Sequence, residues 1–129
     1  MYRPPCSSLS NFISDFDEFL ELLCLSSNLL ILGDFNLHMN DPTNYYVKRF
    51  SEILQQYGLC QYVCDSTHVA GHTIDLIIAR AFDRLIDSVS VHDYGISDHS
   101  LVLCNVNFHH DENPATFRNV RNRKIFNFE

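Results

Sequence analysis

Thr73-Ile74-Asp75-Leu76-Ile77-Ile78-Ala79 is a short run, rich in branched apolar side chains, that contains one carboxylate, Asp75. Runs of this length and composition that follow a turn such as Ala70-Gly71 are typical of β-strands. A carboxylate among apolar neighbours loses its hydration on burial unless another group pairs with it. The run therefore predicts a strand whose charged side chain needs a partner, and the imidazole of His99 is the candidate that we expect.

Two amphipathic helices are predicted on the N-terminal side of this strand. Over residues 12–23 the apolar side chains recur every three or four positions, and Ser10 or Asn11 is the expected N-cap. The second helix begins after the turn at residues 41–43 and ends at Gly58, where glycine suits a left-handed C-terminal residue. Both helices are expected to cover a sheet with their apolar faces.

Four further segments have strand patterns. Residues 28–32 form an apolar run that stops at Gly33 and predicts a strand buried on both faces. The others are short β-type segments between turn residues, at positions 59–64, 86–92 and 101–108. The order helix, strand, helix and then strands predicts an α/β fold in which helices cover a mostly antiparallel or mixed sheet.

The length and pattern of the chain predict one domain. With 129 residues, 46% of them hydrophobic, the chain is long enough to bury one core but too short for two. The pattern is lost after Phe108, so we expect a domain over residues 1–108 and a linker or extension over residues 109–129. The basic residues of that tail are more typical of a solvated linker than of an arm that follows a DNA backbone.

The net charge and the cysteine content limit the classes of protein to which the chain can belong. The net charge of −7 gives no general case for nucleic-acid binding, and it fits either a solvated surface or carboxylates gathered around a cation. Five scattered cysteines without a CxxC pair predict a reducing compartment, and Cys60 and Cys64 are interpreted as small core residues. No apolar run reaches about 18 residues and no signal-peptide pattern is present, so we expect an intracellular protein, nuclear or cytoplasmic, without a membrane segment.

Polar residues that can carry chemistry occur at three places near strand ends. They are Gly33-Asp34-Phe35-Asn36, Asp75 in its apolar run, and Ser97-Asp98-His99-Ser100. Asp34 and Asp98 offer the oxygen ligands that Mg²⁺ prefers, and Asn36 offers an amide that can donate to a phosphate. Phosphodiester hydrolysis requires a cation, a carboxylate that orients water, and donors to the phosphate oxygens. The three clusters together therefore point to that chemistry.

In chain order these clusters, together with Thr67-His68 and residues 71–77, resemble the motifs of the endonuclease/exonuclease/phosphatase superfamily, whose members include the AP endonucleases. Tyr2-Arg3-Pro4-Pro5 and the block from Thr67 to Ile77 resemble its LINE-type retrotransposon branch in particular. The resemblance extends over residues 2 to about 108. It implies that the chain is the C-terminal half of a four-layer, DNase I-like α/β sandwich, with divalent-metal-dependent phosphodiester hydrolysis as its chemistry.

The resemblance also implies roles for single residues. Asp34 would orient or activate the attacking water, and Asn36 would hold the scissile phosphate. Asp75 would pair with His99, and His99 would contact a phosphate oxygen. Asp98, with Asp34, would help to hold Mg²⁺ or Mn²⁺. The expected enzyme is a DNA-nicking endonuclease, with a reverse transcriptase downstream in the complete element.

Contacts to the substrate are implied at four further positions. Tyr2 falls where the superfamily has a tyrosine that touches the phosphate, and His68, His72 and Thr73 are candidates for contacts with the DNA backbone. The resemblance departs from the superfamily at its start, because an N-terminal half-domain that supplies an asparagine and a metal-binding glutamate has no counterpart here. We therefore expect this half alone to have low or no activity.

Other interpretations stay open. The motifs do not choose the leaving group, so a phosphatase or exonuclease of the same superfamily is an alternative, and a catalytically dead remnant is another. Taken singly, Asp34 and Asn36 fit an ordinary turn, and Asp75 fits a buried carboxylate bound to backbone amides. His68 and His72 flank a turn and have no third ligand at zinc spacing, so a zinc site is not favoured.

Overall fold

The computed structural model of the chain describes residues 1–23, 26 and 28–107. Two helices and five strands follow one another in the order α1 (Leu9–Leu23), β1 (Leu30–Asp34), α2 (Tyr45–Gln56), β2 (Leu59–Gln61), β3 (Asp75–Arg80), β4 (Ile86–His92) and β5 (Leu101–Val106). Every strand pairing is antiparallel. The predicted α/β fold with antiparallel sheets is therefore confirmed. The linker predicted at residues 109–129 lies outside the described residues.

A three-stranded sheet in the order β1-β3-β2 forms the centre of the fold, and β4 and β5 form a separate two-stranded hairpin. In the pairing of β1 with β3, Leu32 lies opposite Ile77 and Asp34 lies opposite Asp75. Residues directly opposite in an antiparallel pair place their side chains on the same face of the sheet. The register therefore puts the carboxylates of Asp34 and Asp75 side by side at one end of the sheet.

The helices pack on the other face of this sheet. The core contains the buried residues of both helices, together with Ile31 from β1 and Leu76 and Ile78 from β3. At its centre the ring of Phe16 stacks on Phe50 at a centroid distance of 5.0 Å and meets the edge of Phe35 at 5.9 Å. Rings at these separations add to the stabilisation that burial gives. Phe35 belongs to the loop after β1, so this packing also anchors that loop.

Replacing Phe50 with alanine is expected to destabilise the fold by roughly 3–5 kcal/mol, because it leaves a cavity among fully buried rings. Phe50 has 0% of its surface exposed. Denaturant unfolding followed by circular dichroism measures the difference. Tyr45→Ala on the same helix is the matched control, because Tyr45 is exposed and should change the free energy of unfolding by less than about 0.5 kcal/mol. Equal losses in the two variants would contradict this description of the core.

Both helix boundaries have local causes. The first helix begins at Leu9, earlier than predicted, because the hydroxyl of Ser8 accepts from the amide of Asn11; neither Ser10 nor Asn11 is the cap. The second helix is capped by Asn44, whose side chain accepts from the amide of Tyr46. It is followed by Gly58 in the left-handed conformation, as the pattern predicted.

Two burial predictions were wrong. β1 is buried on one face only, since 49% of Leu32 is exposed on the face that the helices do not cover. Cys60 and Cys64 are exposed and are not core residues. The side chain of Leu59 fills the core at β2, and alternation along a strand then directs Cys60 outward. Neither helix of the described part of the chain is long and apolar enough to cross a membrane.

Candidate active site

The turn after β1 holds the carboxylate of Asp34 at both oxygens. The backbone N–H of Asn36 donates to Oδ1 at 3.0 Å, and Nδ2 of the same residue donates to Oδ2 at 3.2 Å. Asn36 can make both contacts because its φ is +47°, a left-handed conformation that asparagine tolerates better than most residues. Two residues in one turn therefore fix the direction in which Asp34 points.

Both N–H groups of the Asn36 side chain are engaged within the protein. Besides the contact with Asp34, Nδ2 donates to the carbonyl of Arg3 at 2.7 Å. A primary amide has two N–H groups, so both are already used. Donation by this amide to a phosphate, as the resemblance implies, would require one of these hydrogen bonds to be exchanged.

The first residues of the chain lie along β1. The backbone of Tyr2 forms a parallel bridge with that of Asp34, and 65% of the surface of Tyr2 is exposed. The backbone passes so close to the strand that a Cβ on Gly33 would lie 1.9 Å from the carbonyl oxygen of Met1. Only glycine allows this approach. The segment brings the backbone of Tyr2 beside that of Asp34, and the contact of its phenol with a phosphate stays a prediction.

The predicted partner of Asp75 is present. Nδ1 of His99 lies 2.9 Å from Oδ2 of Asp75, and a carboxylate can only accept, so this ring nitrogen donates. In the neutral ring, Nε2 is then left as the acceptor. The hydrogen bond with Asp75 raises the pKa of His99, and partial burial opposes the rise. His99 is therefore charged at higher pH than an ordinary histidine, and Nε2 then becomes a donor too.

Thr67 sets the position of Asp75. This fully buried residue accepts at its hydroxyl from the amides of Ile74 and Asp75, at 3.1 and 3.0 Å. β3 begins at Asp75 and not at Thr73 as predicted, because these amides donate to a side chain and not to a neighbouring strand. The carbonyl of Thr67 also accepts from the amide of Ser100. Thr67 therefore joins the loop of Asp75 to the loop of His99.

The pairing of His99 with Asp75 predicts a pH dependence of stability. Because the folded-state pKa of His99 is raised, the stabilisation is fully present below the ordinary pKa of about 6.5 and is lost as the pH rises through the folded value. Chemical denaturation at about pH 5.5 and pH 8 should show a larger difference between the protein and Asp75→Asn at the lower pH. If the difference in the free energy of unfolding between the protein and Asp75→Asn is equal at both pH values, or larger at pH 8, the predicted pH dependence is wrong.

The loop before β5 is joined to His68. The backbones of His68 and His99 form an isolated bridge, and the amide of Val69 donates to the carbonyl of Asp98. Nδ1 of His68 accepts from the amide of Ala70 at 3.1 Å, so the proton of the neutral ring is on Nε2, 3.7 Å from a carboxylate oxygen of Asp98. His68 thus presents an N–H beside His99.

Two groups of side chains at this end of the sheet have spacings that suit a metal ion. One contains Asp34, Asp75 and His99, and the other contains His68, Asp98 and His99. Both nitrogens of His68 are engaged as just described, and Nδ1 of His99 is bound to Asp75, so the carboxylates are the main donors that remain. Oxygen donors suit Mg²⁺ or Mn²⁺ better than zinc. Asp34 belongs to the first group and Asp98 to the second, and His99 is a member of both.

Asp98 is exposed and remains ionised. The hydroxyl of Ser97 donates to its carboxylate at 3.1 Å, and this hydrogen bond is the first cause of its lowered pKa. The same hydroxyl accepts from the amide of His99. The Ser97 hydroxyl therefore fixes the loop through a side chain and a backbone amide, as a capping serine does. Asp98 keeps the negative charge that binding of a cation would require.

Histidines extend the site beyond the predicted residues. The ring of His38 stacks on His72 at a centroid distance of 3.8 Å, and it is His38 that is exposed. Partial burial is the first cause of the lowered pKa of His38, and the neighbouring His72 is the second. Sequence reasoning missed His38, although its position two residues after Asn36 was a signal. His72, predicted to contact DNA, is half-buried beneath it.

One predicted contact residue does not fit the geometry. Only 3% of Thr73 is exposed, and its hydroxyl donates to the carbonyl of Asp65 at 2.9 Å. The expectation that Thr73 contacts the DNA backbone is therefore corrected: its side chain stabilises the loop and offers no surface to a phosphate. The structure brings five other predicted residues together at one end of the sheet: Asp34, Asn36, Asp75, Asp98 and His99. His68 lies beside His99, and His72 lies beneath His38.

A cleft of about 330 Å³ opens beside these residues, lined by Asp34 and Asp75 on one side and by Ser100 and the start of β5 on the other. Helices cover one face of an antiparallel sheet, with carboxylates and a histidine at its end. The sequence profile described as endonuclease-reverse transcriptase matches residues 1–103. The chain belongs to this family, in the LINE-type branch of the endonuclease/exonuclease/phosphatase superfamily.

A solved structure supports the fold assignment. The endonuclease domain of TRAS1, a telomere-specific non-LTR retrotransposon, superposes with a TM-score of 0.66 at 15% sequence identity. The alignment covers 83% of this chain and 55% of that one, so this chain spans about half the length of the TRAS1 domain. A comparison with curated proteins gave no significant match.

Proposed function

We propose that the chain carries the phosphate-activating part of a DNA-nicking endonuclease of a non-LTR retrotransposon, which hydrolyses a phosphodiester with the help of Mg²⁺ or Mn²⁺. The observation that supports this most is the pair of His99 and Asp75 at 2.9 Å, with Asp34 beside it across the sheet. A nuclease needs an oriented carboxylate and a phosphate-binding donor facing one space. Side-chain oxygen and nitrogen atoms of Asp34, Asp75 and His99 lie within 4.8 Å of one another, which supports one shared space for these groups.

The proposed reaction is attack of water on phosphorus. Asp34 accepts a proton from the attacking water as the new P–O bond forms, with its direction fixed by Asn36. In its charged form, which the contact with Asp75 favours by raising its pKa, His99 donates from Nε2 to a non-bridging oxygen and stabilises the negative charge of the transition state. The opposite P–O bond breaks, and the 3′-oxyanion takes its proton from solvent. In this proposal His68 and Tyr2 donate to neighbouring phosphate oxygens.

The carboxylates of Asp34 and Asp98 are the proposed protein ligands of the divalent cation. When bound, the cation would neutralise developing charge on the phosphate. In this proposal two carboxylates leave most of the coordination to water and to other ligands, which Mg²⁺ tolerates. The family resemblance attributes a further ligand, a glutamate, to an N-terminal half-domain outside this chain. The proposed partners are therefore that half-domain, a DNA substrate and a downstream reverse transcriptase.

A plasmid-nicking assay tests the proposal. Supercoiled plasmid is incubated with this chain, and separately with a version that carries upstream sequence of the same element, in Mg²⁺, in Mn²⁺ and in excess EDTA. We expect the longer version to produce nicked circles with either cation and none in EDTA, while the 129-residue chain is much slower.

The other outcomes separate the alternatives. Hydrolysis of inositol phosphates without nicking would favour a phosphatase, and nucleotide release from DNA ends would favour an exonuclease. No hydrolysis of any of these substrates by a folded longer version would favour a catalytically dead remnant and would overturn the proposal.

A further inference from the structure

Arg3 is a buried cation that binds the backbone of the Asp34–Asn36 turn. Only 4% of its surface is exposed. Nε donates to the carbonyl of Phe35 at 2.6 Å, and an N–H of the same guanidinium donates to the carbonyl of Asn36 at 2.5 Å. The backbone amide of Arg3 donates to the carbonyl of Asp34 at 2.9 Å. Three consecutive carbonyls of one turn are therefore bound by a single residue.

The other edge of the guanidinium is also occupied. It donates to the carbonyls of Pro4 and Ser7 and to the hydroxyl of Ser7. Burial lowers the pKa of Arg3, and the charge of Asp34 opposes this. An arginine remains protonated in proteins. These acceptors hold the guanidinium of Arg3 in one geometry. A movement that broke one of the hydrogen bonds would leave part of a buried charge without a compensating partner, which costs free energy.

The contacts made by Arg3 have a direct effect on Asn36. The guanidinium holds the Asn36 carbonyl, and the Arg3 carbonyl receives Nδ2 of the same asparagine. Both contacts favour the left-handed backbone of Asn36, which costs free energy in a residue other than glycine. That backbone in turn directs the amide and Nδ2 of Asn36 onto the carboxylate of Asp34.

We infer that Arg3 is a positioning residue: it holds Asn36 in the conformation that orients Asp34, and it does so without touching the substrate. The inference has two parts. The catalytic part, that orienting Asp34 speeds the reaction, rests on the proposed function. The geometric part, that Arg3 holds Asn36 in this conformation, does not depend on the proposed function. Lysine is not a substitute, because an ammonium lacks the planar fork that reaches two carbonyls on one side and Ser7 on the other.

Amide hydrogen exchange on the full chain tests the geometric part without any activity. In Arg3→Lys the amide of Asn36 should exchange at least about tenfold faster, while the amides of β3 change much less, because the turn opens locally. Arg80→Lys is the matched control. Arg80 also donates to backbone carbonyls, those of Ser26 and Tyr57, and lies outside the site. Because Arg80 belongs to β3, the reference for this variant is α2, and the ratio of Asn36 exchange to α2 exchange should stay unchanged.

A second variant keeps the test decisive if Arg3→Lys does not fold. Ser7→Ala removes one acceptor of the guanidinium and should raise the exchange of Asn36 selectively, by a smaller factor. If Asn36 and β3 lose protection in equal proportion, Arg3 contributes only to stability and the inference is overturned. Unchanged exchange of Asn36 in both variants overturns it as well.

Kinetics of the nicking-competent version test the catalytic part. Arg3→Lys should lower kcat by about tenfold or more with KM unchanged, because a residue that only orients a catalytic group acts in the transition state. A change in KM alone would show substrate contact and overturn the inference. If no version of the protein nicks DNA, the proposed function fails, whereas the exchange experiment still decides whether Arg3 holds Asn36.

Discussion

Asp34→Asn is expected to lower the nicking rate by about 10²- to 10⁴-fold, the range typical of losing a general base. The substitution keeps the shape of the side chain and its acceptor for the amide of Asn36, but it removes the charge that accepts a proton from water. The initial rate of nicked-circle formation, measured with the longer version of the protein at saturating Mg²⁺, gives the effect. The free energy of unfolding should change far less than the rate.

Asp87→Asn is the control for this prediction. Asp87 is an exposed aspartate on β4, away from the cleft, and the substitution makes the same change of net charge. It should nick at the rate of the unchanged protein. If Asp34→Asn retains most of its activity while it is folded, Asp34 is not the water-orienting carboxylate and the proposed reaction fails at its first step.

Asp75→Asn is expected to reduce nicking by about 10²- to 10³-fold, the range typical of losing an electrostatic contact that stabilises the transition state, because the imidazole that faces the phosphate loses its charge. An asparagine can turn its N–H toward Nδ1 of His99, which moves the ring proton to Nε2 and removes the charge on the imidazole. The NMR titration of His99 should then show a pKa below that of the unchanged protein, since the hydrogen bond with Asp75 is the main cause of the rise.

For Asp75→Asn, the proposed reaction requires both a lowered pKa of His99 and a lowered nicking rate. A lowered pKa together with an unchanged nicking rate would show that His99 is held by Asp75 but has no part in the reaction. Asp65→Asn is the matched control, because Asp65 is an exposed aspartate in the loop that follows β2. It should alter neither the titration of His99 nor the rate.

Local patterns in the sequence predicted much of the secondary structure. The bounds of β4 were predicted correctly, because alternating serine and valine over residues 86–92 has a clear two-residue period. The left-handed Gly58 was predicted for a similar reason, since glycine after an apolar helix pattern is a local signal. Chemistry predicted that Asp75 needs a partner and made His99 a candidate, because a carboxylate in an apolar strand loses its hydration. The resemblance then implied the same pairing of Asp75 with His99.

Features that depend on distant parts of the chain were not predictable in the same way. The exposure of Leu32 depends on which face of the sheet the helices cover, and an apolar run does not contain that information. The register that sets Asp34 opposite Asp75 joins strands about 40 positions apart in the chain. Arg3 is a cation between a tyrosine and two prolines, a pattern typical of a surface segment, and its burial follows from the fold.

The separation of the two sheets has a consequence for the order in which parts of the protein open under stress. No residue of the β4–β5 hairpin belongs to the main buried core in the described part of the chain. Asp75 is fixed to that core, whereas His99 precedes β5 and is held by loop contacts. Segments with few buried contacts open at a lower free energy than the whole domain. Mild heating or dilute denaturant should therefore separate the imidazole from its carboxylate while the helices remain intact, so that inactivation precedes the loss of helical circular dichroism.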